Sequence, residues 1–150
     1  MEVFRISRSK YANALTASGS FGRWNLDRQY VIYTGSYRSL STLELVVRRD
    51  SIIPDDEYKV MVISIADNDS LIKQVPTRDL PKDWKLSTAY PDLQAIGSDW
   101  YTNKESLILK VPSAIITQEF NYIINTLHPD FSNNVQLVRT ENYFWDERLL

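Results

Sequence analysis

YKVMVISI, residues 58–65, has the composition of a β-strand, because β-branched and aromatic residues dominate it. Three other runs share that composition: 30–33 (YVIY), 107–111 (LILKV) and 135–138 (VQLV). Helical patterns lie between these runs and are fewer. The sequence therefore predicts an α+β fold with mixed small sheets and few helices.

The segment 40–49 shows the clearest helical periodicity in the chain. Its inward positions repeat at i, i+3, i+4 and i+7, and they are Leu40, Leu43, Glu44 and Val47. Ser39 and Ser41 are candidate capping residues for this helix. We expect one face of the helix to pack on the protein interior.

Other segments give weaker signals. A second helix is expected over about 92–96, and the segment that begins at Thr117 and runs to 124 fits either a helix or an extended strand. Asp and Pro are frequent in 66–106, which predicts a region rich in loops.

Length and composition exclude several classes of protein. The 150 residues, 43% of them apolar, suit one domain over 1–150. The absence of cysteine and the single histidine, His128, argue against zinc sites, iron–sulfur clusters and thiol nucleophiles, so we expect no metal site. The four glycines form no phosphate-binding Gly-rich motif. The N-terminal residues lack a signal-peptide pattern and no apolar run approaches a membrane span, so we expect a cytoplasmic protein that does not contact a membrane.

Charge is distributed unevenly along the chain. The net charge is −2, yet residues 1–49 carry eight Lys and Arg against three Asp and Glu, whereas the remainder carries nine against sixteen. This balance argues against direct nucleic-acid binding. A basic N-terminal third indicates a site for an anionic ligand, or it is neutralised by the acidic remainder lying beside it.

Glu44 is unusual because a carboxylate on an apolar helix stripe needs a partner or a function. One interpretation places it in a cleft as a functional acid. The alternative is an ordinary surface pair with Arg48 at i+4.

Two arginines stand in settings that suit anion binding. Arg23 lies in GRWN, 22–25, between glycine and tryptophan, and Arg5 lies in the apolar run VFRI, 3–6. The planar guanidinium binds phosphate or carboxylate through two hydrogen bonds. Either arginine could instead pack its stem on an aromatic ring at the surface.

Ser113 follows Pro112 in VPSA, 111–114, where proline predicts the end of a strand. A serine hydrolase would require His128 as the base, but no nucleophile-elbow motif surrounds Ser113. His128 lies in a polar run, 121–131, that is typical of an ordered loop. Most of the four tryptophans are expected in the core, with aromatic rings also available to stack on a ligand.

Together these motifs resemble the RES domain family, the toxins of bacterial toxin–antitoxin pairs, named for an arginine, a glutamate and a serine. The resemblance runs from residue 4 to about 131, and its motifs in chain order are FRI (4–6), GRWN (22–25), YTGS (33–36), Leu43-Glu44, IGSDW (96–100), VPSA (111–114) and the run 121–131. One departure is visible, since Thr126 stands where the family tends to have proline. We expect the turn at Asn125 to be looser for that reason.

The resemblance implies an enzyme that degrades NAD by cleaving the nicotinamide–ribose bond, with a fold similar to ADP-ribosyltransferase toxins. NAD is then a substrate, no cofactor is required, and phosphate is a candidate co-substrate beside water. A helix-turn-helix antitoxin is the implied partner, and a second copy of the chain is a further candidate. Two alternatives remain: transfer of ADP-ribose to a protein acceptor, and a module that binds without catalysis.

Carried over motif by motif, the resemblance implies Arg23, Glu44 and Ser113 as catalytic residues. It implies Arg5, Tyr33 and Asn121 as substrate-binding residues. A carboxylate such as Glu44 would stabilise positive charge on the ribose, and the arginines would bind the diphosphate. Tyr33 would stack on nicotinamide, while Ser113 would either bind a ribose hydroxyl or orient Glu44. The antitoxin is expected to insert a segment into the cleft near Arg5 and Arg23.

Overall fold

The computed structural model describes residues 1–48, 50, 52–53 and 56–149. In chain order its strands and α-helices are β1 (Glu2–Arg8), β2 (Val31–Gly35), α1 (Arg38–Val46), β3 (Tyr58–Ile65), β4 (Ile72–Gln74), α2 (Tyr90–Thr102), β5 (Ile108–Pro112), β6 (Phe120–Asn125), α3 (Phe131–Asn134) and β7 (Val135–Tyr143). In these residues the seven strands form one sheet ordered β4-β5-β6-β2-β1-β3-β7, in which only β4 and β5 pair in parallel. The predicted α+β class is confirmed.

The strand predictions hold with small changes at their ends. β3 occupies the predicted residues, β2 and β5 are displaced by one or two residues, and β7 continues five residues beyond its predicted end to Tyr143. The ambiguous segment after Thr117 is extended, as strand β6. As the proline predicts, β5 ends at Pro112.

The helix predictions need correction. α1 begins at Arg38 and ends at Val46, so Ser39 and Ser41 lie inside the helix and neither is its cap, while the predicted terminal residue Arg49 lies outside the described residues. Val47, expected on the inward stripe, is the C-cap residue of α1 and is 62% exposed. The second helix, expected over about 92–96, is confirmed as α2, but it is longer: it spans 13 residues of the region 66–106 that was predicted to be rich in loops.

The sheet is divided where β1 meets β2. These two strands share one residue pair, Phe4 with Gly35, whereas β1 and β3 pair along seven consecutive residues. Beyond that single pair the ladder between β1 and β2 stops, and side chains from both strands line a common cavity.

The core consists of two main clusters on opposite faces of the sheet. Along β6, Ile124 packs with Ile32 and Ile63 on one face, and the adjacent Ile123 packs with Leu93 of α2 on the other. Three tryptophans are buried in the α2 cluster, as expected: Trp24, Trp84 and Trp100.

The turn after β6 is held by two hydrogen bonds from Thr126. Thr126 donates both its backbone N–H (3.2 Å) and its hydroxyl (2.6 Å) to the carbonyl of Tyr30. A proline at this position would lack that N–H. These two bonds hold the turn without the fixed φ of proline, and its looseness stays a prediction.

The C-terminal segment packs on the body of the protein through its aromatic residues. Trp145 contacts the rings of Tyr58 and Tyr143 edge-on, with centroids 5.8 and 5.1 Å away. In the described part of the chain, no helix has the length and apolar character needed to span a membrane.

Candidate active site

A cavity of about 520 Å³ opens between the diverging strands β1 and β2 and is closed on one side by α1. Among the described residues, the ionic side chains that line it are Glu44 and four arginines: Arg5, Arg8, Arg23 and Arg48. All five come from the first 48 residues, so four of the eight Lys and Arg in the basic N-terminal third line one concave site. A cavity of this size and charge suits an anionic small molecule.

Helix α1 is held close to the sheet and carries Glu44 into the cavity. The buried hydroxyl of Ser41 donates to the carbonyl of Phe4 on β1 (2.9 Å). A Cβ on Gly35 would lie 2.7 Å from that hydroxyl oxygen, so the absence of a side chain there permits the close approach.

The carboxylate of Glu44 accepts two hydrogen bonds on one oxygen, Oε1. Ser113 Oγ donates at 3.0 Å, and Asn121 Nδ2 donates at 2.8 Å. Arg48, the alternative partner, donates through Nε to the backbone carbonyl of Glu44 (3.4 Å). Because both side-chain bonds fall on Oε1, no described residue donates to Oε2, which is available to a ligand.

Ser113 is fully buried and acts on Glu44 from behind the cavity wall. Its Oγ accepts the backbone N–H groups of Ile115 (3.1 Å) and Ile116 (3.2 Å). A hydroxyl accepts two hydrogen bonds and donates one, so the remaining proton is directed at Glu44. Of the two roles considered for Ser113, this geometry supports orienting Glu44 and does not support contact with a ribose.

Tyr33 is fixed by a network of buried polar groups. Its hydroxyl donates to Asn25 Oδ1 (2.6 Å) and accepts the backbone N–H of Trp24 (2.9 Å). Burial raises the pKa of the Tyr33 phenol well above its usual range. The phenol therefore stays neutral, and its ring lines the cavity in one orientation.

Asn25 was not among the candidate residues, although it lies in the GRWN motif. Its amide donates to the backbone carbonyls of three loop residues, Ser20, Leu26 and Gln29, at 2.9–3.3 Å. It therefore fixes the loop that forms one wall of the cavity. The sequence signal was a polar residue between two apolar ones, but its partners are carbonyls that no side-chain pattern reveals.

Arg5 and Arg23 both line the cavity, but their guanidinium groups have different surroundings. No carboxylate of the described residues raises the pKa of Arg5; burial and the charge of Arg48 lower it. Arg23 is anchored, since its Nη1 donates to the carbonyls of Trp84 (3.1 Å) and Lys85 (3.2 Å). Its guanidinium also lies 4.8 Å from the ring centroid of Tyr90.

The structure thus brings Glu44, Ser113 and Asn121 into one hydrogen-bonded group and places Arg5, Tyr33 and Arg23 around the same cavity. His128 takes no part in this group: its Nδ1 accepts the backbone N–H of Asp130 (3.1 Å) within an ordered turn. Among the described residues, no cluster of three or more His, Asp or Glu is arranged to hold a metal ion.

Ser113→Ala tests the positioning of Glu44. We expect kcat for the reaction of this site to fall roughly 10- to 100-fold with little change in KM. A loss of this size corresponds to the free energy of one hydrogen bond to a charged group. Steady-state kinetics measure this, and E44Q/S113A is the matched control. If Ser113 acts through Glu44, the double variant is no slower than E44Q alone; equal losses in both backgrounds would indicate a purely structural role.

Comparison with known proteins gives consistent matches along the chain. The family model described as RES domain matches residues 2–146. The chain is 32% identical to Toxin Res of Photorhabdus laumondii, covering 100% of this chain and 97% of the relative. It is 30% identical to Toxin Res of Yersinia enterocolitica over 99% of each protein. A Sphingobium protein named Prs ADP-ribosylating toxin is 30% identical, covering 96% of this chain and 91% of that protein.

Proposed function

Because this chain belongs to the RES domain family, we propose that it is a toxin that degrades NAD by cleaving the bond between nicotinamide and ribose. The observation that carries the proposal is the carboxylate of Glu44, held by Ser113 and Asn121 in a cavity lined by arginines. We also propose that its fold is of the ADP-ribosyltransferase type, with NAD bound where β1 and β2 diverge.

Glu44 supplies the electrostatic part of the reaction. When the C1′–N bond breaks, its electron pair moves to the nicotinamide nitrogen, which changes from cationic to neutral, and positive charge develops on the ribose. A carboxylate oxygen facing that ribose stabilises the transition state more than the bound substrate. The leaving group departs neutral, so the reaction requires no general acid.

Arg5 and Arg23 complement the rest of the substrate. Arg5 has no carboxylate partner among the described residues, and we assign it to the diphosphate. Arg23 is anchored through Nη1, so its other guanidinium nitrogens, Nε and Nη2, are held in a fixed position for the substrate. We assign the ring of Tyr33, held by Asn25 and Trp24, to stacking on nicotinamide.

The acceptor for the ribose is water or inorganic phosphate. Water would form ADP-ribose and release a proton, whereas phosphate would form phosphorylated ADP-ribose. Incubating the purified chain with NAD, with and without phosphate, and separating the products by chromatography distinguishes the two. Absence of free nicotinamide under both conditions would refute the proposed reaction.

A second candidate function is transfer of ADP-ribose to a protein, favoured by the name of the Sphingobium relative, an ADP-ribosylating toxin. An assay with NAD labelled in its adenylate half distinguishes NAD cleavage from ADP-ribose transfer. Cleavage alone leaves the label in small molecules, while transfer places it on a protein band in a bacterial lysate, where unlabelled competitor NAD should suppress it.

We propose that a helix-turn-helix antitoxin holds the enzyme inactive by inserting a segment near Arg5 and Arg23. An enzyme that consumes NAD in its own cell requires such an inhibitor, and a segment with carboxylates would complement the four arginines of the cavity. Co-purification with the product of the adjacent gene, followed by loss of NAD cleavage, would support this partner.

A further inference from the structure

A shallow groove adjoins the cavity; we call it the rim groove. It is lined by Phe21, Leu26, Asp27, Tyr90, Pro91 and Gln94. Phe21 and Tyr90 also line the cavity, so the two hollows share a wall. A ligand too long for the cavity would therefore extend into the rim groove.

The rim groove presents an apolar surface that the fold leaves uncovered. Phe21 is 64% exposed and Leu26 is 45% exposed, with exposed Pro91 beside them in the same groove. Adjacent exposed apolar side chains of this kind mark a binding surface more often than isolated ones do. The exposed aromatic ring of Phe21 suits stacking on a flat heterocycle.

The position of Phe21 is fixed by hydrogen bonds before any ligand arrives. Its backbone N–H donates to Asp27 Oδ1 (3.1 Å), and the carbonyl of the next residue, Gly22, accepts from Gln94 Nε2 (2.8 Å). Because the backbone that carries the ring is already held, less conformational entropy is lost when a ligand binds.

On Asp27 and Gln94, the side-chain oxygens that remain unbonded are hydrogen-bond acceptors. The bonds just described use Asp27 Oδ1 and Gln94 Nε2, and no described residue donates to Asp27 Oδ2 or Gln94 Oε1. Acceptors beside a stacking surface match a base that carries an exocyclic amine, as adenine does. Hypoxanthine, with a carbonyl at that position, is a poor match.

Arg23 lies at the wall shared by the two hollows, with its guanidinium 4.8 Å from the ring centroid of Tyr90. A cation there suits a diphosphate that joins one group in the cavity to another in the groove. We infer that the rim groove is the adenine subsite for NAD, with Phe21 as its stacking residue. This inference rests on the proposed function, with the nicotinamide ribose at Glu44.

Phe21→Ala tests the inference with two substrates. Nicotinamide mononucleotide lacks the adenylate half, so the ratio of kcat/KM for NAD to that for the mononucleotide isolates the adenine subsite. We expect F21A to lower this ratio roughly tenfold, the worth of one aromatic stack on a base, and Phe21→Trp to restore it. Wild-type protein should also use nicotinamide hypoxanthine dinucleotide less efficiently than NAD.

Phe144→Ala is the matched control, since Phe144 is 83% exposed and lines neither hollow. It should leave the ratio and both rates unchanged. An unchanged ratio in F21A, or equal use of the adenine and hypoxanthine dinucleotides, would overturn the inference.

Calorimetric titration with AMP separates this inference from the proposed reaction, because it requires no turnover. We expect F21A to weaken AMP binding roughly tenfold while F144A does not. AMP binding that depends on Phe21, in a protein that releases no nicotinamide, would count against the proposed reaction alone. AMP binding that is absent or unaffected by F21A would overturn the subsite.

Discussion

Glu44→Gln should lower kcat for nicotinamide release about 100- to 1000-fold, because it removes the negative charge that faces the ribose. Gln has the shape of Glu, and its Oε1 can accept both the Ser113 and the Asn121 hydrogen bonds. The atom that changes is then the one facing the cavity, where the amide nitrogen Nε2 replaces the free oxygen Oε2. Initial rates of nicotinamide release from saturating NAD measure the effect.

The same variant should keep its fold and its affinity for substrate. We expect an unchanged circular dichroism spectrum and melting temperature, and NAD binding close to that of the wild type, since the arginines are intact. A wild-type rate in E44Q would show that Glu44 does not stabilise the transition state.

Gly97→Ala should have the largest effect on stability. Gly97 lies in α2, and a Cβ there would lie 1.7 Å from the backbone carbonyl oxygen of Trp24, so either the helix or the 22–25 segment must move. In an exposed helix the same change stabilises by about 1 kcal/mol, but here we expect the free energy of unfolding to fall by about 3 kcal/mol. Thermal denaturation should show a melting temperature about 6–12 °C lower.

Asp99→Ala is the control for that variant, because Asp99 is exposed on the same helix. It should leave the melting temperature nearly unchanged. G97A should also reduce activity, since the displaced Trp24 carries the N–H that fixes Tyr33. A G97A protein as stable as D99A would mean that the close contact between α2 and Trp24 is not maintained in solution.

Much of the fold could be predicted from local patterns. β3 was predicted to the residue because β-branched side chains fill it, and Pro112 marked the end of β5. The inward position of Glu44 followed from helical periodicity, although the same periodicity failed at Val47, the exposed C-cap residue of α1. Periodicity indicates which face of a helix is buried but not where the helix stops.

The contacts around Glu44 could not be predicted, because they depend on tertiary structure. Asn121 reaches Oε1 through the register of β6 against β2, in which Asn121 lies opposite Gly35. The direction of the Ser113 proton depends on two backbone N–H groups in the following loop. Arg23 finds its carbonyl partners about sixty residues away in sequence. None of these contacts leaves a pattern in the local sequence.

The proposed toxicity is tested most directly by measuring intracellular NAD in bacteria that are induced to express the chain without its antitoxin. We predict that NAD falls before growth stops in cells that express the wild type. Cells that express E44Q to the same level should keep both their NAD and their growth. Growth arrest in wild-type cells whose NAD stays at the uninduced concentration would contradict NAD degradation as the function of this protein.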